Sequence, residues 1–235
     1  MHEVSAGRQA IETMIRSGDL EGLLRQAEAF HGHLCPGLAL GVKAGQYAMD
    51  YLDRESRGGE EVVAIVDCNN CFVDGLQVVT GCTLGNNGLI YRDLGKTAVT
   101  IARRPDGAAV RLAVKPDFRE RLLAKYAAAG PLFDKVMVQQ EATAEEHHRF
   151  QHLWEAISRR ELKEPLEEQF VIQTLTIQMP PGSPLFATVR CSRCGEGVME
   201  PQARLKEGET VCRVCAGESF PGLTGRGVEV FCPDR

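Results

Sequence analysis

The sequence predicts an α+β protein in which an antiparallel sheet is flanked by helices and followed by a small zinc-finger domain. Three observations carry this expectation. Helical periodicity fills residues 11–52 and returns after residue 117. Short β-branched or alternating runs lie between these helical stretches and again after the last of them. Finally, cysteine pairs crowd a glycine-rich tail beyond "PPGSP", residues 180–184, which reads as a linker. The expected domains are therefore 1–184 and 185–235.

In order along the chain, Ile11, Met14 and Ile15 form the apolar face of a first helix. Asp19 caps a second, with Leu20, Leu23, Leu24 and Ala27 on one face, which delivers the chain to His31. Pro36 suits the first position of a third helix, capped by Cys35 and running to about Leu52. Gly37, Gly41 and Gly45 share one face of it; since each costs roughly 1 kcal/mol against alanine, they imply close approach by another element or by a ligand. "EVVAIVD", residues 61–67, reads as a buried strand, and "VDGLQVVTG" as a short helix. "LIYRD", "KTAVTIARR" and "AAVRLAVK", the last two joined by a turn at Asp106 and Gly107, read as an antiparallel meander. "DFRERLLAKYAAAG" is helical, with Gly130 and Pro131 as its stop. Thr143 and Glu146 form a capping box for a helix to about Arg160, and "FVIQTLTIQM" alternates as a strand does.

A chain of 235 residues with 43% hydrophobic and 25% charged side chains has length for one full core and an appendage. Its net charge of −5 argues against a nucleic-acid binder held by phosphate neutralisation. The start carries no basic segment leading into an apolar run, and no stretch is long and apolar enough to span a bilayer. A soluble cytoplasmic protein without membrane association is expected. Nine cysteines, mostly in close pairs, suit a reducing compartment in which thiolates bind metal or react.

Cys191, Cys194, Cys212 and Cys215 follow the pattern C-x2-C-x17-C-x2-C, which predicts a tetrahedral four-thiolate zinc site. Few apolar residues surround them, so metal would supply the folding energy and the role is structural. Four basic and four acidic residues between Cys191 and Cys215 cancel, unlike a DNA-binding finger. Cys232 reads as a free thiol.

The second concentration of chemistry lies in the main domain. "FHGHLCPG", residues 30–37, gathers His31, His33 and Cys35 at a turn, and Cys68, Cys71 and Cys82 surround one short segment. The positive end of a helix dipole at Cys35 would favour its thiolate. Cys68 and Cys71 read either as a metal clip or as small buried hydrophobes. His148 and His152 stand one helical turn apart among charged neighbours on a solvated face and are left outside the candidate site. No P-loop, dinucleotide fingerprint or serine elbow occurs.

"FHGHLCPG", "CFVDGLQVVTGCTLGNNGL" and "DLGKTAVTIARR", with a carboxy-terminal treble-clef finger, resemble the FmdE family, named for formylmethanofuran dehydrogenase, from about residue 20 to 217. The resemblance implies an α+β core, a homodimer, a pocket near the histidine–cysteine motif and associated zinc. By position it marks His33, Cys35, Cys71, Asp74, Gln77, Thr80, Cys82, Asn86, Gly95 and Lys96. Cys68 is extra to the pattern, and residues 131–160 match none of it.

The candidates for chemistry are thus His33, Cys35, Cys71, Asp74, Cys82 and Lys96, with His31, Gln77, Thr80 and Asn86 as ligand-binding positions. His33, Cys35 and Cys71 are the candidate ligands of a second, core-domain zinc. Three functions are open at this point. One is an accessory protein handling metal or sulfur for molybdenum or tungsten (molybdopterin) enzymes, the partner class that the resemblance implies. Another is a zinc enzyme with Asp74 or Lys96 as acid or base. The third is a module docking through its finger, for which the neutral charge makes nucleic acid a poor partner.

Overall fold

The computed structural model describes residues 5–52, 61–104, 106–182 and 184–233. It divides into two compact units, Met1–Met179 and Pro180–Arg235, parted at the prolines expected to form a linker; Ser183 lies outside the described residues.

Helices α1 (Ala6–Ser17), α2 (Leu20–His31) and α3 (Pro36–Tyr51) open the first unit. Asp19 caps α2 through the Gly22 amide, and Cys35 caps α3, its Sγ accepting from the Leu38 amide at 3.4 Å, as the sequence leads one to expect. After strand β1 (Val62–Val66), helix α4 (Cys71–Thr80) packs lengthwise against α3. Glycine makes this approach possible: a methyl group on Gly41 would collide with the Phe72 carbonyl, and one on Gly75 would lie 2.7 Å from the Val42 amide nitrogen. The α3 glycines are thus explained by close packing against a helix. Gly41→Ala is expected to destabilise the domain by about 3 kcal/mol, because backbone cannot yield as a side chain can; a urea midpoint unchanged from that of the parent would contradict it.

Strands β2 (Leu89–Tyr91), β3 (Ala98–Arg103), β4 (Ala108–Val114) and β5 (Phe170–Thr176) complete a five-stranded sheet in the order β2-β1-β3-β4-β5. Val62, Ala64 and Val66 share a sheet face with Val99, Ile101, Val110, Leu112 and Phe170, and this face joins α2, α3 and α4 in one core. The expected meander is only partly present. β3, β4 and β5 are antiparallel neighbours, whereas "LIY" pairs parallel to β1 at the edge, Ala64 opposite Leu89. The β1–α4–β2 crossover returns the chain in the same direction, which is the usual geometry of a strand–helix–strand unit.

The helical stretch after β4 also departs from expectation. α5 (Phe118–Lys125) ends before Gly130–Pro131, and those residues instead lie in the first turn of α6 (Ala129–Phe133), where proline lacks no needed donor. A π-helical turn, Asp134–Gln139, leads to α7 (Ala144–Glu161), which begins with the expected Thr143–Glu146 capping box. A four-residue helix, α8 (Leu166–Gln169), precedes β5. Lys43, buried on α3, donates to the carbonyls of Glu161 and Glu164 and to the Gln169 side chain, tying the end of α7 to the core.

Among its described residues, the second unit consists of three hairpins, a 3-10 turn at Glu200–Gln202 and one short α-helix. Strands β6 (Thr188–Arg190) and β7 (Gly197–Met199) flank the first cysteine pair. β8 (Arg204–Lys206) and β9 (Glu209–Val211) lead into α9 (Arg213–Ala216), capped by Cys212. β10 (Phe220–Thr224) and β11 (Gly227–Phe231) close the chain. Among the described residues, no helix is long and apolar enough to cross a membrane.

Candidate metal centre

Three elements converge on the core-domain cluster. His31 is the last residue of α2, and Gly32, at φ 93°, turns the chain where an L side chain would be strained. The chain passes through exposed His33 to buried Cys35 at the start of α3. Cys71 is the first residue of α4, behind the Asn70 cap, and reaches the start of α3 because Gly37 offers no side chain there: a methyl group on it would sit 3.3 Å from the Cys71 Cβ. The N-termini of α3 and α4 are thereby placed side by side, and both favour thiolate over thiol.

The donor atoms of His31, His33, Cys35 and Cys71 all lie within 4.8 Å of one another. Bond lengths to zinc place tetrahedral nitrogen and sulfur donors about 3.3–3.8 Å apart, so a small inward movement satisfies an ion. The two imidazole rings lie 4.4 Å apart, centre to centre. His31 Nδ1 lies 2.7 Å from Asp74 Oδ2, and Gln77 Nε2 donates to Asp74 Oδ1 at 3.0 Å. His31 Nε2 is buried and has no hydrogen-bond partner among the described residues. A carboxylate on one ring nitrogen holds the proton there and leaves the other as a lone pair, the arrangement that orients a metal-bound histidine. A buried, orphaned nitrogen beside two thiols and a second imidazole fits a borderline transition ion such as zinc.

The two thiols are electrically unlike. A hydrogen bond from Cys35, aided by the nearby His31 and His33, holds Cys71 down to about 5 despite its burial. The same hydrogen bond and burial push Cys35 up. Without metal the pair therefore shares one proton, which an incoming cation would displace.

The remaining candidates lie elsewhere. Cys82 follows the opposite end of α4; it is fully buried and its Sγ faces the Val62 carbonyl at 3.5 Å. Burial pushes its thiol up, so the core encloses it as a small apolar group and it does not join Cys35 and Cys71. Thr80 closes the last turn of α4 by donating to the Leu76 carbonyl, and Asn86 clasps its loop through Thr83, Gly81 and Gly88. Both act on local backbone, away from the cluster. Lys96 is exposed, and its backbone amide donates to the Asp67 carbonyl. Cys68 is buried, its thiol near the Asn70 side chain, and is likewise outside the donor group.

One polar centre has no signal in the motifs. The fully buried carboxylate of Asp67 accepts from Arg92 at 2.7 and 2.9 Å and from Arg111 at 2.7 Å. It ties the end of β1 to β4 and to the segment that follows β2. Only the "VD" at a strand end, followed by cysteine, hints at it in the sequence.

In the second unit, Cys191, Cys194, Cys212 and Cys215 place their sulfurs within 4.8 Å of one another. The Cys194 and Cys212 amides hold the Cys191 thiol down to about 6, and the Cys212 Sγ accepts from the Cys215 amide at 3.4 Å. Amides aimed at sulfur are what a thiolate-bound zinc requires. The chemistry of four sulfurs and nothing else fits a closed, structural ion.

Comparison with known proteins accounts for both units. Residues 184–219 match the prokaryotic dksA/traR C4-type zinc finger, and the finger is a structural zinc site. A protein of Archaeoglobus fulgidus described as a "probable S-adenosyl-L-methionine-binding protein" is 43% identical over 216 residues, 90% of this chain. The match spans 57% of that relative's length. A crystal structure of a tungsten formylmethanofuran dehydrogenase FmdE-like protein from Syntrophus aciditrophicus superposes with a TM-score of 0.53. It covers 84% of this chain and 92% of that one at 19% identity, a likeness of fold. Residues 30–171 match the family described as "FmdE, Molybdenum formylmethanofuran dehydrogenase operon". This match takes in more than half of the chain, from the histidine–cysteine motif to the last strand of the sheet, and the protein belongs to the FmdE family.

Proposed function

We propose that this protein is a metal-binding accessory factor whose core-domain centre, His31, His33, Cys35 and Cys71, takes a zinc or similar ion and handles metal or sulfur for molybdenum or tungsten enzymes. The observation that carries the core ion is the orphaned His31 Nε2, held by Asp74 and surrounded by three further donors. When bound, the ion supplies Lewis acidity and a soft anchor for sulfur. The protein's own contribution is to fix the His31 tautomer through Asp74 and Gln77 and to keep Cys71 ionised.

Exchange is favoured by the uneven burial of the ligands. Cys35 is buried while His33 is exposed, so His33 is the ligand most easily displaced by a partner's group. An enzyme reading with a catalytic zinc would use the same position for water, yet Asp74 is already bonded to His31 and Gln77. With Asp74 engaged in holding His31, the accessory role is favoured. Deleting the gene in the host should lower molybdenum- or tungsten-enzyme activity, with rescue by the unaltered gene and none by His33→Ala/Cys35→Ser. Full activity in the deletion strain removes the proposal.

Asp74→Asn is expected to weaken core metal binding by about 10–100-fold while leaving finger zinc in place; unchanged affinity in competition with a chelator would assign Asp74 a packing role. The proposal includes a cytoplasmic homodimer. β5 is an outer strand with Val171 and Leu175 exposed, and light scattering at the monomer mass would remove that part. The name of the Archaeoglobus relative favours a second reading, binding of S-adenosylmethionine. Calorimetry with that compound and the zinc-loaded chain decides it, heat of binding supporting it and no heat at millimolar ligand excluding it.

A further inference from the structure

The outer face of α7 carries a third, sulfur-free donor arrangement. His148 and His152 are both exposed, their Nε2 atoms are 3.1 Å apart, and their rings stand 4.3 Å apart at 80°. Glu145, His148, His152 and Glu155 follow one another at intervals of three, four and three residues, which places all four on one stripe of the helix. Glu155 Oε2 lies 3.9 Å from His152 Nδ1, on the side of the ring turned away from His148. At that distance the carboxylate acts on the pair through its charge, while the two Nε2 atoms face each other within hydrogen-bond distance.

The spacing of the nitrogens matches a chelate. An ion about 2.0–2.1 Å from each of two imidazole nitrogens, at an angle between a right angle and the tetrahedral value, separates them by about 2.9–3.4 Å. The two rings thus need little rotation to meet a cation, and the flanking carboxylates lower the cost of bringing positive charge to this face. Imidazole nitrogens without thiolate suit Ni2+, Cu2+ and Zn2+ in preference to softer ions.

We infer that His148 and His152 form an exchangeable site for a borderline divalent transition ion, independent of the two cysteine-containing centres, with water completing its coordination. Two protein ligands hold such an ion weakly enough to release it, in contrast to the four sulfurs of the finger.

The test uses the full chain, zinc-loaded and then dialysed, and titrates it with Ni2+ in a calorimeter while a chromophoric indicator reports displaced zinc. One Ni2+ per chain should bind in the micromolar range without releasing zinc. His148→Ala and His152→Ala should each weaken it by about tenfold or more, as loss of half the protein ligands implies. His147→Ala, off the stripe, should leave it unchanged. Because both histidines are exposed, circular dichroism should show the variants folded. Binding that persists in the His148→Ala/His152→Ala double variant, binding that releases zinc in proportion, or no binding below millimolar Ni2+ would each overturn the inference.

Discussion

Replacing Cys194 and Cys215 with serine is expected to release one zinc per chain and to unfold residues 180–235 while the core domain stays folded. Burial decides the size of this effect. Among the described residues beyond Pro180, Cys191 and Val211 are the buried hydrophobic ones, and Cys191 is itself a ligand. So little apolar surface cannot offset the entropy of ordering over fifty residues, whereas a structural zinc contributes roughly 10–16 kcal/mol of apparent binding free energy. The core unit has its own large cluster, from Ile15 to Phe170, and the division at Met179 leaves that cluster intact. Amide NMR spectra check this: resonances of residues 180–235 should collapse to random-coil positions while those of β1, β3 and β4 stay. A finger that keeps its dispersed resonances after the substitution would show that packing, not zinc, holds it.

The second large effect concerns the core centre. His31→Ala/Cys71→Ser removes one nitrogen and the thiol that is already ionised near neutral pH, so the ion loses half its donors. The expected result is a fall from near two zinc ions per chain to near one in dialysed protein, with the finger retaining its own. The domain should stay folded, since His31 and Cys71 lie at helix ends and are only partly buried, so thermal unfolding of the metal-free variant should match that of the metal-free parent. An unchanged zinc count would mean that these donors do not hold an ion.

The parts of the structure legible in the sequence are those specified locally. Cys35 as a cap, Pro36 at the first helical position, the Thr143–Glu146 box and the two cysteine pairs all depend on residues within a turn or a hairpin of one another. The glycines at 37 and 41 signalled a close approach, though only the fold shows that α4 makes it. What remained hidden depends on distant pairing. Asp67 meets Arg111 from 44 residues away, and Lys43 meets the end of α7 from more than a hundred. His31 gains its meaning from Asp74, 43 residues on, which frees the opposite ring nitrogen for a ligand role. Cys82 misled because its polar sequence neighbours conceal that it turns inward under β1. The parallel placement of β2 escaped the hydrophobic pattern, since periodicity says which face a strand buries and not which strand it joins.

The most direct test of the core centre is an anomalous-scattering map of the zinc-loaded crystal, recorded on both sides of the zinc absorption edge. Two peaks per chain are predicted, one among the four finger sulfurs and one bonded to His31 Nε2, His33, Cys35 Sγ and Cys71 Sγ. A single peak at the finger, with water or a neighbouring side chain hydrogen-bonded to His31 Nε2, would contradict the proposed core site.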